Sequence, residues 1–308
     1  MPRSPVHTAE RRDGLIYGAA AYLLWGVFPL YFPLLKPAGA IEILAERIIW
    51  SLIAVVAVLA VGRSFGSFKV VLGDRRKVGL LAIAAVLIAV NWGTFIYAVN
   101  SDHVIESSLG YFITPLVSAA FGVLVFREEL RPRQMAALGI GALAVIVLAV
   151  DYGRLPWIAL VLAASFGSYG LVKKIVNVGA AESLAMETLI LFAPALACVA
   201  VLQATGNGTF THHAPGHALL LMASGVVTAL PLLLFSASVT RVPLTVIGML
   251  QYLAPVLQFL VGLVIVGEAM PASRWIGFGL VWLALVVLSA DLVHAARRTR
   301  LAAVQEPA

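Results

Sequence analysis

Ten apolar runs of about twenty residues each occupy most of the chain and alternate with short polar breaks. A helix needs roughly 20 mostly apolar residues to cross hydrocarbon, because every backbone N–H and C=O must find its partner inside the helix. The pattern predicts membrane helices over 14–35, 40–61, 78–99, 104–126 and 134–150. A second set follows over 155–172, 183–202, 218–239, 244–266 and 274–292.

The two sets resemble each other. Residues 106–129 read ESSLGYFITPLVSAAFGVLVFREE, and residues 245–268 read TVIGMLQYLAPVLQFLVGLVIVGE. Each copy carries an early Gly (Gly110, Gly248), then a Tyr and a Pro (Tyr111 and Pro115; Tyr252 and Pro255), then an apolar run that stops at Glu129 or Glu268. Pro132 and Pro271 follow the acidic stops, and paired glycines follow them (Gly139 and Gly141; Gly277 and Gly279). Offsets of about 140 positions identify a duplication with small insertions. Five spans is an odd number, so the second copy must enter the membrane from the opposite face. The expected fold is therefore an all-α integral membrane protein of ten transmembrane helices in two inverted five-helix repeats, 14–151 and 152–292. Tails at 1–13 and 293–308 flank them. Two similar halves of opposite orientation can exchange conformations and open a central site to each side in turn.

Composition agrees with this reading. The chain is 61% hydrophobic and 12% charged, too few polar groups to coat a water-soluble globule. Its net charge of +6 does not point to nucleic acid, since the basic residues sit in short loops and are not interleaved with aromatics on one face. Placing the N-terminus inside puts seventeen Lys and Arg in the cytoplasm and only Lys36, Arg154 and Arg274 outside, with Arg47 inside a span. Both termini should be cytoplasmic, in a plasma or inner membrane. Arg11 and Arg12 run straight into an apolar stretch too long for a cleavable signal. The extreme ends, 1–12 and 300–308, read as disordered tails. Cys198 lies in an apolar run and reads as a small core residue. His212, His213 and His217 read as a hydrated outer loop, because Pro215 and Gly216 prevent a helical His pair; no metal and no cofactor is expected.

Charges inside spans cost a few kcal/mol each, roughly, so they mark function or pairing. Glu42 and Glu46 share one face of the second span, and Arg47 points about 100° away from Glu46. Glu106 opens the fourth span at what the topology makes a similar depth, so Arg47 and Glu106 are expected to pair, as a gate or as a lock. Glu187 has no neighbouring cation in sequence and is the expected proton-coupling carboxylate, unless Lys173 or Lys174 reaches it. Trp25, Asn91, Trp92, Tyr97, Tyr111, Gln251, Tyr252 and Gln258 suit a largely apolar pocket with a few hydrogen-bonding groups. Tyr97 and Trp157 suit an interfacial belt equally well. Pro115, Pro231 and Pro255 remove N–H donors inside spans and are expected to kink them, as are Pro29, Pro33 and Pro194. No GxxxxGK[ST] or HExxH motif occurs, which argues against ATP-driven pumping and against an enzyme.

The strings AAYLLWGVFPLYF, AERIIWS, AVNWGTFIYAVN, ESSLGYFITPLV, SFGSYGLVKK and TALPLLLFSASVTRVPLTVIGMLQYLAPVLQFLVG resemble the RarD family of EamA-type permeases, within the drug/metabolite transporter superfamily. The resemblance runs from about Gly14 to about Arg298. It implies ten helices in two inverted repeats, inner-membrane residence and secondary transport, often efflux, of small metabolites or drugs. The matched motif positions are Glu42, Arg47, Asn91, Trp92, Glu106, Tyr111, Gln251 and Tyr252. The leading expectation is export of a small amphipathic solute with proton exchange, in contact with the bilayer and with no nucleic acid partner. A lipid or lipid-linked precursor flippase is the alternative, an intramembrane enzyme the third choice, and a homodimer is left open.

Overall fold

A computed structural model describes residues 5–126, 131–239, 241–242 and 244–305. In chain order the helices are α1 (Pro5–Gly26), α2 (Phe28–Tyr31), a 3-10 turn (Phe32–Leu35), α3 (Ala40–Val61), α4 (Phe65–Gly73), α5 (Arg75–Asn100) and α6 (Val104–Phe126). They continue as α7 (Pro132–Tyr152), α8 (Trp157–Val176), α9 (Ala180–Ala204), α10 (Pro215–Val239), α11 (Leu244–Leu250) and α12 (Leu253–Leu260). A wide π-helical turn (Val261–Val266) and α13 (Ala272–Gln305) complete the chain. Eight of these helices are long and apolar enough to cross a membrane.

The two remaining apolar runs are broken, and proline accounts for each break. The first run bends by 43° between α1 and the segment Phe28–Leu35. Pro29 and Pro33 sit in the first turns of the two short helices, where a missing N–H costs nothing. The ninth run divides into α11 and α12 around Gln251 and Tyr252. Pro255 cannot donate to the carbonyl four residues back, which belongs to Gln251, and the helix restarts there. Helices α6, α9 and α10, by contrast, run on through Pro115, Pro194 and Pro231. The polar stretch after α3 holds the short helix α4. The ends differ from expectation: α1 begins at Pro5 and α13 reaches Gln305, so helix continues where irregular tails were expected.

Packing is reciprocal between the halves. Helix α1 packs on α10 and α12, and α8 packs on α5 and α6, their counterparts in the other half. Helix α3 packs on α9 and α10, and α9 packs on α3 and α5; α7 lies along α13, and α6 along α12. Exchanging the helices of one half for those of the other returns the same pairs. The α7–α13 pair is clamped at both ends by matching ion pairs. Arg131 Nη1 lies 2.9 Å from Asp291 Oδ2, and Arg274 Nε lies 2.9 Å from Asp151 Oδ2. Both aspartates are buried, and Asp151 also accepts from Ser273.

Small residues set the closest approaches. The Ser238 hydroxyl donates to the Gly14 carbonyl at 2.7 Å, and side chains at either glycine of the Gly14 and Gly18 pair would strike α10 or the residues after it. Gly225 of α10 lies directly against the Trp50 carbonyl of α3, so a Cβ there meets backbone that cannot turn aside. Gly139 faces open space. Gly225→Ala is therefore expected to destabilise the fold by about 1–3 kcal/mol, and Gly139→Ala by less than about 0.5 kcal/mol. Thermal denaturation of the two purified variants checks this, and equal midpoints would contradict the packing.

Candidate functional site

Arg47 lies seven residues into α3, about 10 Å from the helix start at 1.5 Å per residue. It is 3% exposed. Its Nε donates to Thr228 Oγ1 of α10 at 2.8 Å, and the Thr228 hydroxyl in turn donates a hydrogen bond to the Ser224 carbonyl at 2.8 Å. Three rings enclose the guanidinium: Trp92 at 4.1 Å, Phe28 at 5.6 Å and Phe32 at 5.7 Å from its carbon to the ring centroid. Nη1 is buried with no hydrogen-bond partner among the described residues. None of the ion pairs among the described residues includes Arg47. A desolvated cation–π contact contributes about 2 kcal/mol, whereas burying one ion costs several kcal/mol after relaxation. The charge is left undercompensated.

A polar network adjoins it. Asn91, next to Trp92 on α5, donates through Nδ2 to the Leu162 carbonyl and to Ser165 Oγ of α8, each at 3.1 Å. Its Oδ1 accepts from the Tyr111 hydroxyl of α6 at 3.1 Å. One amide thus ties three helices together, and Phe95 and Phe166 pack edge-on against Tyr111. On the other side, Gln258 of α12 donates to the Trp25 carbonyl at 3.1 Å, and its Oε1 is buried without a partner among the described residues. Trp25 packs with Tyr22 and Phe235. Gln251 and Tyr252 sit at the break before α12, both half-buried. Tyr97 is exposed and packs on Trp157, an outward-facing pair that does not join the other aromatics.

The buried carboxylates find partners that sequence order concealed. Glu106 does not pair with Arg47. It lies two residues into α6, about 3 Å from the helix start, and that depth lets the loop residue Arg154 reach it. Arg154 grips both carboxylate oxygens at 2.7 and 3.3 Å, and the Ile158 amide adds a third donor at 3.1 Å. The hydrogen bond to Glu106 raises the Arg154 pKa. Glu187 is not alone either. Lys173 Nζ and Ser183 Oγ meet its Oε1 at 3.0 and 2.8 Å, and the Tyr169 hydroxyl donates to Oε2 at 3.1 Å. Glu42 accepts from the amides of Thr209 and Phe210 at 2.5 and 3.3 Å, which pins the histidine-bearing loop to α3. His217 Nε2 lies 2.8 Å from the Thr209 hydroxyl, so this loop is anchored. Glu46 accepts from Trp50 Nε1 at 2.9 Å. No group of three or more His, Cys, Asp or Glu among the described residues could hold a metal.

The chain matches the model of the EamA-like transporter family twice, over residues 12–150 and 155–290. The chain belongs to that family. It is 55% identical over 291 residues to Protein RarD of Streptomyces exfoliatus, covering 94% of this chain and 92% of that one. It is 39% identical over 301 residues to the uncharacterized transporter YojE of Bacillus subtilis, covering 95% and 98%. A solved crystal structure shares the fold at 19% identity with a TM-score of 0.60, covering 94% of this chain and 99% of that one. The chain is thus a RarD-type EamA permease, a multi-pass membrane transporter of the drug/metabolite transporter type.

Sequence reasoning missed Thr228, Arg154 and the role of Glu268. Glu268 was visible only as the acidic stop of the repeated element. It caps the N-terminus of α6, accepting from the Val104 and Ile105 amides at 2.5 and 3.1 Å, where the helix dipole favours an anion. Burial, with a contribution from Asp102, pushes its pKa up from 4.5 to about 7, against the two amides and Arg274. A carboxylate whose pKa is raised by folding holds its proton longer in the folded chain, so folded stability falls as pH rises from 4.5 to about 7. The thermal midpoint should drop across that window in the wild type and drop less in Glu268→Gln. Parallel pH profiles would show that Glu268 does not titrate there.

Proposed function

We propose that this permease exports a small amphipathic metabolite or drug across the plasma membrane by alternating access coupled to proton exchange. In this reading the bent first run and the divided ninth run also cross the bilayer, giving ten spans in two inverted repeats with both termini cytoplasmic. The observation that carries it is the reciprocal packing, in which each half makes the same contacts to the other. A two-fold arrangement of that kind has two equivalent ways to close, one at each face, with the site between them. The matching Arg131–Asp291 and Arg274–Asp151 clamps at opposite ends of the α7–α13 pair support it.

Glu106, Glu42 and Glu46 act as gating groups here, because the first two fasten loops to helix ends through contacts that can open without unfolding a span. Glu187 is the proton-coupling group. Protonation would release Lys173, loosening the junction of α8 and α9, both of which pack on α5. Asn91, Trp92, Tyr111, Trp25 and Gln258 line the central region, with Gln251 and Tyr252 at the break in the ninth run. Tyr97 faces outward and has no part in solute binding.

Purified protein in liposomes with an internal pH dye tests the reading. Solute-dependent proton movement is expected, reduced at least about tenfold in Glu187→Gln. Solute movement without proton flux would remove the coupling, and activity confined to lipid-linked molecules would favour a flippase.

A further inference from the structure

The buried carboxylates Glu42, Glu46, Glu106 and Glu187 each accept hydrogen bonds from the chain itself. Arg47 does not receive equivalent treatment. In the second repeat, 140 positions later, Glu187 stands at the corresponding place in α9 with Lys173 as its counter-charge. Arg47 has rings over its guanidinium and an unpartnered Nη1. A ring stacked over a guanidinium engages its face, while the N–H donors point outward in the plane. The Trp92 ring lies over the guanidinium carbon at 4.1 Å, and among the described residues Nε donates to Thr228 while Nη1, on the outer edge of the fork, has no partner.

We infer that this edge is the seat for a carboxylate of the transported solute, so that the substrate class is an organic monoanion with an apolar or aromatic body. The inference rests on the transporter reading above and deepens it. A carboxylate matches the planar fork and can accept two parallel N–H bonds from it. The low-dielectric wall of Phe28, Phe32 and Trp92 strengthens that pairing and receives the solute's apolar part. The titratable side chains that act electrostatically on Arg47 are Tyr111 and Tyr31. Arg47 is the one Lys or Arg that the sequence places inside an apolar span, so the seat offers one positive charge and not two, which favours a carboxylate over a phosphate monoester. A cationic solute would meet repulsion there.

The test uses the full chain in nanodiscs with benzoate, phenylacetate and N-acetylphenylalanine, each beside its carboxamide, and reads binding by thermal shift. At least one acid should bind about tenfold or more tightly than its amide. Arg47→Gln should abolish that preference, and Arg47→Lys should weaken it about tenfold. Equal binding of acid and amide, a preference that survives Arg47→Gln, or no shift with any of the three acids would overturn the inference. If Arg47→Gln does not yield folded protein, Arg47→Lys decides, and undiminished acid affinity in that variant counts against the seat. Uptake of the same compounds into vesicles separates the two readings. Arg47-dependent binding of an acid that is never transported keeps the seat and removes the transport reading. Undiminished transport of a neutral amide by Arg47→Gln keeps transport and removes the seat.

Discussion

A full charge deep in an apolar bundle must be compensated, and at Arg47 the chain compensates it only in part. Three aromatic rings and one threonine hydroxyl surround the guanidinium. Together they make the burial tolerable without neutralising it. Much of the surrounding structure serves this arrangement. The break after α1 carries Phe28 and Phe32 to the guanidinium, α5 brings Trp92, and α10 brings Thr228. Gly225, three residues before Thr228, lets α10 approach α3 closely enough for the hydroxyl to reach.

Elsewhere the fold places its polar groups where helices begin. Glu268 caps α6, Glu106 meets the first turn of α8 through the Ile158 amide, and Glu42 takes the amides of the loop before α10. Helix starts expose unpaired N–H groups, so a carboxylate is stabilised there even when buried. These contacts join segments that are distant in sequence, and they lie at the helix ends. The middle of the bundle is held by close packing around glycines and by a few hydrogen bonds between helices, those of Asn91, Arg47 with Thr228 and Gln258 with Trp25 among them. Rigid middles and separable ends suit an assembly whose halves move against each other.

The run lengths, the duplicated element and the family were legible in the sequence, because membrane helices announce themselves by apolar length and the repeated Tyr, Pro and Glu recur in order. The breaks at Pro29 and Pro255 were legible as sites of missing N–H donors. That Pro115 and Pro231 would leave their helices unbroken was not, since packing by neighbours decides the outcome. Ion partners were misjudged for a geometric reason. Arg47 of α3 and Glu106 of α6 differ by five residues in distance from the helix start, and a loop arginine reaches the shallower one. The orphaned Nη1 of Arg47 had no sequence signal at all.

The arrangement depends on Arg47 being a shielded cation with the Trp92 ring over its guanidinium carbon. Nitrogen-15 NMR of arginine side chains in nanodiscs measures this directly, with Arg47→Lys identifying the resonance and Trp92→Leu reporting the ring. The account predicts one protonated guanidinium with slow hydrogen exchange and a ring-current displacement that Trp92→Leu relieves. Fast solvent exchange at Arg47, or a resonance indifferent to Trp92, would contradict it.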